Sequence, residues 1–274
     1  MRATFTTSKR SPGERSRQVR RIFLFIALAL GAVVGSANAQ PVKNIVLVHG
    51  AFADGSSWAR VIPLLQAKGY HVTAVQNPLT SLADDVAATQ RAIDMQDGPV
   101  VLVGHSWAGV VITEAGVDSK VVGLVYVAAF APDQGETVGD LGKAYPQPPA
   151  LAAPIADKQG FLTLGPDAFE KFGNDLPKSE AYVACATQGP IAASAFGAKV
   201  SGVAWKTKPP WYIVSTLDQA IAPDEERFFA KRMKATTTEL KASHVSMLSQ
   251  PKAVAAVIME AAARAQVATD AGSK

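Results

Sequence analysis

Ser106 stands in the run "VVLVGHSWAG", where four apolar residues in a row give way to a knot of small and polar ones. A buried parallel strand reads as such a Val/Leu run, and a chain that passes from strand to helix at once needs small residues on both sides of the turn. Gly104 and Ala108 supply them. The pattern small-x-Ser-x-small is that of a nucleophile elbow, which raises a serine hydroxyl above the sheet on a strained turn. Small residues also serve a helix that merely packs closely on a strand, so the motif needs partners before it implies chemistry. A nucleophilic serine requires a base within hydrogen-bond reach and an acid that orients the base.

Only four histidines can supply the base. His71 opens "HVTAV", read as an interior strand, and is structural there. His49 and His105 occupy sharp turns beside glycines. His244, in "KASHVSML", follows the last strand-like run and precedes the last helical one, which makes it the candidate base. The acid belongs on a strand-end loop between Ser106 and His244. Asp218, in "VSTLDQAIAP", directly follows the run "WYIVS"; Asp133, in "AAFAPDQGE", is a topologically possible rival whose surroundings read as a turn. Asp218 is preferred, and the resulting order Ser…Asp…His is one on which such triads are built.

A tetrahedral intermediate also needs two N–H donors. Trp107, at a helix N-terminus, offers one. The loop "HGAFADGSSW" offers the other, from Ala51 or, alternatively, its neighbour Phe52. Gly50 lets the backbone turn there and leaves room for a tetrahedral carbon and a water, and Ser56 or Ser57 caps the helix that follows.

The elements that must position these residues alternate. Strand-like "NIVLVHG", "HVTAV", "VVLVG", "VVGLVYVAAF", "WYIVS" and "TTTELKAS" are separated by helical runs, the pattern of right-handed βαβ units. The expectation is an α/β protein with a doubly wound, mainly parallel sheet of about six strands, whose chemistry gathers at the carboxyl ends of the strands. Residues from 131 to about 208 interrupt the alternation with the Pro/Ala-rich "YPQPPALAAP" and hold the aromatics Phe161, Phe169, Phe172, Phe196 and Trp205. An insertion there overhangs the site as a lid, with about a third of those aromatics facing a ligand and the rest forming its own small core.

Residues 1–39 read as an export signal: a basic lead ending in Arg20-Arg21, the apolar "IFLFIALALGAVV", and Ala37 and Ala39 before Gln40. The arginine pair makes it twin-arginine-like, and the apolar run is too short for a spanning helix of about 20 residues. This predicts a periplasmic or secreted domain of residues 40–274 with no permanent membrane association. Seven of the 27 Lys/Arg and one of the 23 Asp/Glu fall in residues 1–39, so the remainder carries 20 bases against 22 acids. No basic stripe interleaved with aromatics is left for nucleic acid. The single cysteine, Cys185, excludes an internal disulfide and a cysteine-based metal cluster, and reads as a buried, inert thiol.

Taken in order, "VLVHGAF", "GHSWAG", "TLDQAI" and "SHVSMLSQP" resemble the α/β-hydrolase superfamily, in particular its compact group of salicylate-binding-type methylesterases, hydroxynitrile lyases and related bacterial esterases. The resemblance implies Ser106 as nucleophile, His244 as base, Asp218 as orienting acid, Ala51 and Trp107 as the oxyanion hole, and no metal or organic cofactor. It implies a serine hydrolase acting on a small or medium carboxylic ester, with lyase-like chemistry, cofactor-free perhydrolysis or mere ligand binding on the same fold as alternatives. Lyases of the group commonly carry a threonine before the oxyanion amide and a lysine after the base; Gly50 and Val245 stand there in this chain.

Overall fold

The computed structural model describes residues 42–272, together with the isolated Thr4, and their side chains as far as Ala265. Contacts divide the chain into Met1–Asn38 and Ala39–Lys274. Apart from Thr4, the expected export signal lies outside the described residues.

Strands β1 (Asn44–Val48), β2 (His71–Val75), β3 (Val100–His105) and β4 (Val121–Val127) alternate with helices α1 (Ile62–Gln66), α2 (Leu82–Asp94) and α3 (Ala108–Ala115). An irregular segment then carries α4 (Val138–Leu141), short strands β5 (Ile155–Ala156) and β6 (Phe161–Thr163), helices α5 (Pro166–Phe172) and α6 (Lys178–Thr187), and strand β7 (Ile191–Ala192). The chain returns to the main sheet through β8 (Pro210–Ser215), α7 (Pro223–Met233) and β9 (Thr236–Leu240), and ends in α8 (Ser246–Ser249) and α9 (Pro251–Gly272). The six-stranded sheet runs β2-β1-β3-β4-β8-β9 with every pairing parallel, while β5-β6-β7 form a separate antiparallel sheet.

The strands that carry the site are central because their sequences are apolar on both faces. Every residue of β1 and β3 is buried, which suits a sheet covered by helices on both sides. The edge strands differ: "TTTEL" of β9 has three exposed and two half-buried residues and none that is buried. His71 belongs to such an edge and is exposed, so the expectation of an interior strand at "HVTAV" is corrected. Ser81 caps α2 by accepting the Asp84 N–H, and Pro223 opens α7 where its missing N–H costs nothing. The turn at residues 55–58 is capped by Asp54, not by Ser56 or Ser57: its carboxylate accepts the Ser56 N–H at 2.6 Å.

Candidate active site

The strand β3 ends at a turn whose backbone is strained in the way an elbow requires. Ser106 has φ of 54°, in the left-handed region that costs a side-chain-bearing residue roughly 1–2 kcal/mol. Three backbone hydrogen bonds hold it there: its N–H donates to the Val127 carbonyl at 3.2 Å, and its own carbonyl accepts from Gly109 at 2.9 Å and Phe130 at 3.2 Å. The turn is crowded. A Cβ on Gly104 would lie 2.7 Å from the Ala108 oxygen, and one on Gly109 would lie 2.0 Å from the Phe130 oxygen. Glycine at both positions lets the backbones approach this closely, and Ser106 is left 7% exposed at the helix start.

Asp218 and His244 meet at the carboxyl ends of β8 and β9. Asp218 Oδ2 lies 2.5 Å from His244 Nδ1, with both side chains buried. The other carboxylate oxygen, Oδ1, accepts the N–H groups of Ala220 at 2.6 Å and Ile221 at 2.9 Å, which fixes the carboxylate plane. A proton on Nδ1 of His244 satisfies Asp218, leaving Nε2 with its lone pair; that atom is buried and has no hydrogen-bond partner among the described residues. The ring is wedged between Phe172 at 4.4 Å and His105 at 4.6 Å. His105, next to Ser106, also binds the His244 carbonyl through Nε2 at 2.9 Å, so the strand-end loops of β3 and β9 are tied together. Burial and the neighbouring imidazole hold His105 well below the usual histidine range, keeping it neutral there.

The loop after β1 reaches the same place. His49 Nε2 accepts the Asn77 N–H at 2.9 Å, so its Nδ1–H donates to the Gly50 carbonyl, also at 2.9 Å. In a trans peptide the C=O and the following N–H point in opposite directions. Engaging the Gly50 carbonyl therefore aims the Ala51 N–H away from His49. The N–H groups of Ala51, Phe52 and Trp107 donate to no acceptor among the described residues. Phe52 has φ of 56°. Gly50 itself is not a vacancy for substrate, as the sequence suggested: a Cβ there would meet Ser106 Cβ at 2.8 Å and the His105 oxygen at 2.9 Å. Its glycine lets the loop touch the elbow.

A cavity of about 410 Å³ lies beside this group. Phe52, Phe169, Phe172, Leu176, Val245 and Met247 give it an apolar wall, and Arg60, bonded to Glu180 at 2.8 Å and to the Leu248 carbonyl at 2.7 Å, lies on its polar side. The wall contains neighbours of the serine and histidine: His105 precedes Ser106, Val245 follows His244, and Phe172 packs on the imidazole. Of the five Phe and Trp side chains in the irregular segment, Phe169 and Phe172 face the cavity. Phe196 packs edge-on against Trp107, and Trp205 donates to the Pro132 carbonyl. Asp133, the rival acid, pairs with Lys206 away from His244. Among the described residues no cluster of three or more His, Cys, Asp or Glu is placed to hold a metal, and no helix is long and apolar enough to cross a membrane.

The sequence profile of the alpha/beta hydrolase family matches residues 45–257. The chain belongs to the alpha/beta hydrolase family. It is 28% identical over 254 residues to salicylic acid-binding protein 2 of Nicotiana tabacum, covering 80% of this chain and 97% of that protein. It is 25% identical over 252 residues to the pyrethroid hydrolase of Sphingobium wenxiniae, covering 80% and 87%. The crystal structure of polyneuridine aldehyde esterase shares the fold, with a TM-score of 0.69 at 22% identity over 80% of this chain and 98% of that one. Methylesterases of Arabidopsis thaliana are also among the relatives of this chain.

Several supports of the candidate site carry no motif in the sequence. Asn174 donates to the Leu217 carbonyl at 2.9 Å and Asp175 accepts the Ser243 N–H at 2.9 Å, so one turn of the irregular segment pins both the Asp218 and the His244 loops. Asp85 is buried in α2 and accepts Trp107 Nε1–H and the Leu79 N–H, each at 2.8 Å; burial raises its pKa. Glu225 and Glu226 on α7 are buried near Asp218. Burial, and then the Asp218 charge, push Glu225 up to about 7 and Glu226 well above the carboxylate range. Cys185 is half-buried, not buried, and desolvation raises its thiol pKa.

Proposed function

We propose that the protein is a serine hydrolase that cleaves a small or medium carboxylic ester through an acyl-enzyme. One observation carries the reading: the Asp218–His244 pair ends in a buried Nε2 that has no partner among the described residues, on a loop tied to His105, the residue before a serine raised on a left-handed turn. With Nδ1–H held by Asp218, Nε2 takes the Ser106 proton as Oγ attacks the ester carbonyl. The developing oxyanion collects the N–H groups of Trp107 and Ala51, which have no other acceptor to give up. His244 then returns the proton to the leaving alcohol, and water repeats the sequence on the acyl-enzyme. The apolar cavity beside Phe172 and Val245 accommodates one arm of the ester.

Relatives named as a pyrethroid hydrolase and a salicylic acid-binding protein support an ester with an apolar or aromatic arm. Val245 supplies an apolar wall where cyanohydrin cleavage needs a cation to hold the leaving anion. The same proposal includes residues 131–208 as a lid and removal of residues 1–39 on export, giving a periplasmic or secreted enzyme that begins at Gln40. N-terminal sequencing of exported protein tests the latter; an intact Met1 contradicts it. The reaction itself is tested by stopped-flow hydrolysis of an aryl ester: a burst of about one phenol per enzyme is expected before the steady state. Linear release without a burst, undiminished in Ser106→Ala, sinks the reading.

A further inference from the structure

Asp218 does not face His244 alone. Glu226, in the first turn of α7 and fully buried, accepts the Ser215 N–H on Oε2 at 2.9 Å, and the Ser215 carbonyl accepts the Asp218 N–H at 3.1 Å, so two carboxyl groups converge on one buried turn, and the Asp218 charge raises the Glu226 pKa. Two carboxylates cannot share one apolar site without a proton between them. The donors around the pair decide where that proton sits. Asp218 accepts three: the Ala220 and Ile221 N–H groups on Oδ1 and the His244 Nδ1–H on Oδ2. Glu226 accepts one, the Ser215 N–H on Oε2 at 2.9 Å, and no donor points at its Oε1 among the described residues.

We propose that Glu226 is a positioning residue that keeps its proton on Oε1 and donates it to the Asp218 carboxylate, extending the chain Ser106–His244–Asp218 by one hydrogen bond anchored on α7. The charged groups around it agree. Asp218 repels a charge on Glu226, and the buried Tyr212 hydroxyl is committed to the Ala129 carbonyl. Arg227, the nearby cation, is turned outward to Glu239 and Asp224 at 2.8 Å each, so no cation is left to pair with an ionised Glu226. Burial acts in the same direction and raises the Glu226 pKa well above the carboxylate range. The proton on Glu226 holds the aspartate in plane without adding a second negative charge beside the imidazole.

The inference rests on the reading of Asp218 and His244 as acid and base, and a spectroscopic test separates the two. In the protein labelled with 13C at the glutamate carboxyl, one carboxyl is expected to keep its protonated shift at pH 8, where Glu225 is largely ionised. Glu225→Gln should retain that signal and Glu226→Gln remove it. All glutamates ionised at pH 8 in the unsubstituted protein overturns the proposal, whatever its catalytic activity and whether or not the variants fold. In kinetics, Glu226→Ala should lose about tenfold in kcat with KM within about twofold, as expected for an orienting group. Glu226→Gln, which keeps both a donor and an acceptor, should restore kcat and leave the acid limb of the kcat/KM profile in place. A Glu226→Gln limb lowered by about one pH unit means an ionised glutamate was removed, and overturns the proposal. Full turnover by Glu226→Ala also overturns it.

Discussion

Gly50→Ala adds one methyl group at the contact between the β1 loop and the elbow. That methyl would lie 2.8 Å from Ser106 Cβ, 2.9 Å from the His105 carbonyl oxygen and 3.2 Å from His105 Nδ1. Carbon–carbon contacts are optimal at about 3.5–4.0 Å, so the new atom is short by roughly 1 Å. Ser106 cannot yield easily, because three backbone hydrogen bonds hold it. The β1 loop must therefore move outward, taking the Ala51 N–H with it. A displacement of about 1 Å at a reacting group costs on the order of 10²-fold in rate, and overpacking costs about 1–3 kcal/mol of stability. The assay is kcat and KM for an aryl ester beside urea unfolding of the same preparations. Gly142→Ala is the control, since its φ is −69° and nothing lies within 4 Å of the added methyl. A roughly 100-fold lower kcat is expected for Gly50→Ala and an unchanged one for the control. Loss of stability with kcat kept within about threefold would show that the loop does not carry the donor, and refute the reasoning.

Asp218→Asn should lose on the order of 10³-fold or more in kcat by releasing the His244 tautomer, whereas Asp133→Asn, which only unpairs Lys206, should stay within about twofold; steady-state kinetics of the two variants check this. Glu225 is pushed from its ordinary 4.5 to about 7, so its folded form binds the proton more tightly than the unfolded chain. Its contribution is complete below pH 4.5 and is lost as the pH rises to 7, so Glu225→Gln should be more stable than the parent by about 1–3 kcal/mol at pH 8 and equal to it near pH 4.5 in denaturant titrations. With Val245 in the cavity wall and no cation after the base, mandelonitrile should release no cyanide above background. Rapid release that disappears in His244→Ala would reverse that expectation.

The parallel sheet was legible because its central strands are continuous Val/Leu runs and their connections are helical. Asp218 stands out because it follows the apolar run "WYIVS", and His244 because it lies between the last strand-like run, "TTTELKAS", and the last helical one. His71 misled for a related reason: Val72, Ala74 and Val75 suggest burial, and nothing local reveals that β2 is an edge. The strands β5, β6 and β7 are two or three residues long, too short for a period of two to be read. Asn174 and Asp175 were invisible because they act through backbone groups about 43 and 68 residues away in the chain. Asp85 and Glu226 do leave a signal in the sequence. Asp85 falls on the helical face of Leu82, Thr89 and Ala92, and Glu226 on that of Phe229, Ala230 and Met233, so a carboxylate lies on each buried stripe.

The central claim is that one serine becomes covalently bonded during turnover. Incubation with an aryl phosphonate ester, followed by peptide mass mapping, tests it most directly. One phosphonyl group per chain is expected on Ser106, absent from Ser106→Ala and strongly slowed in His244→Ala. Label on another residue, or ester hydrolysis that continues at full rate once Ser106 is modified, would contradict it.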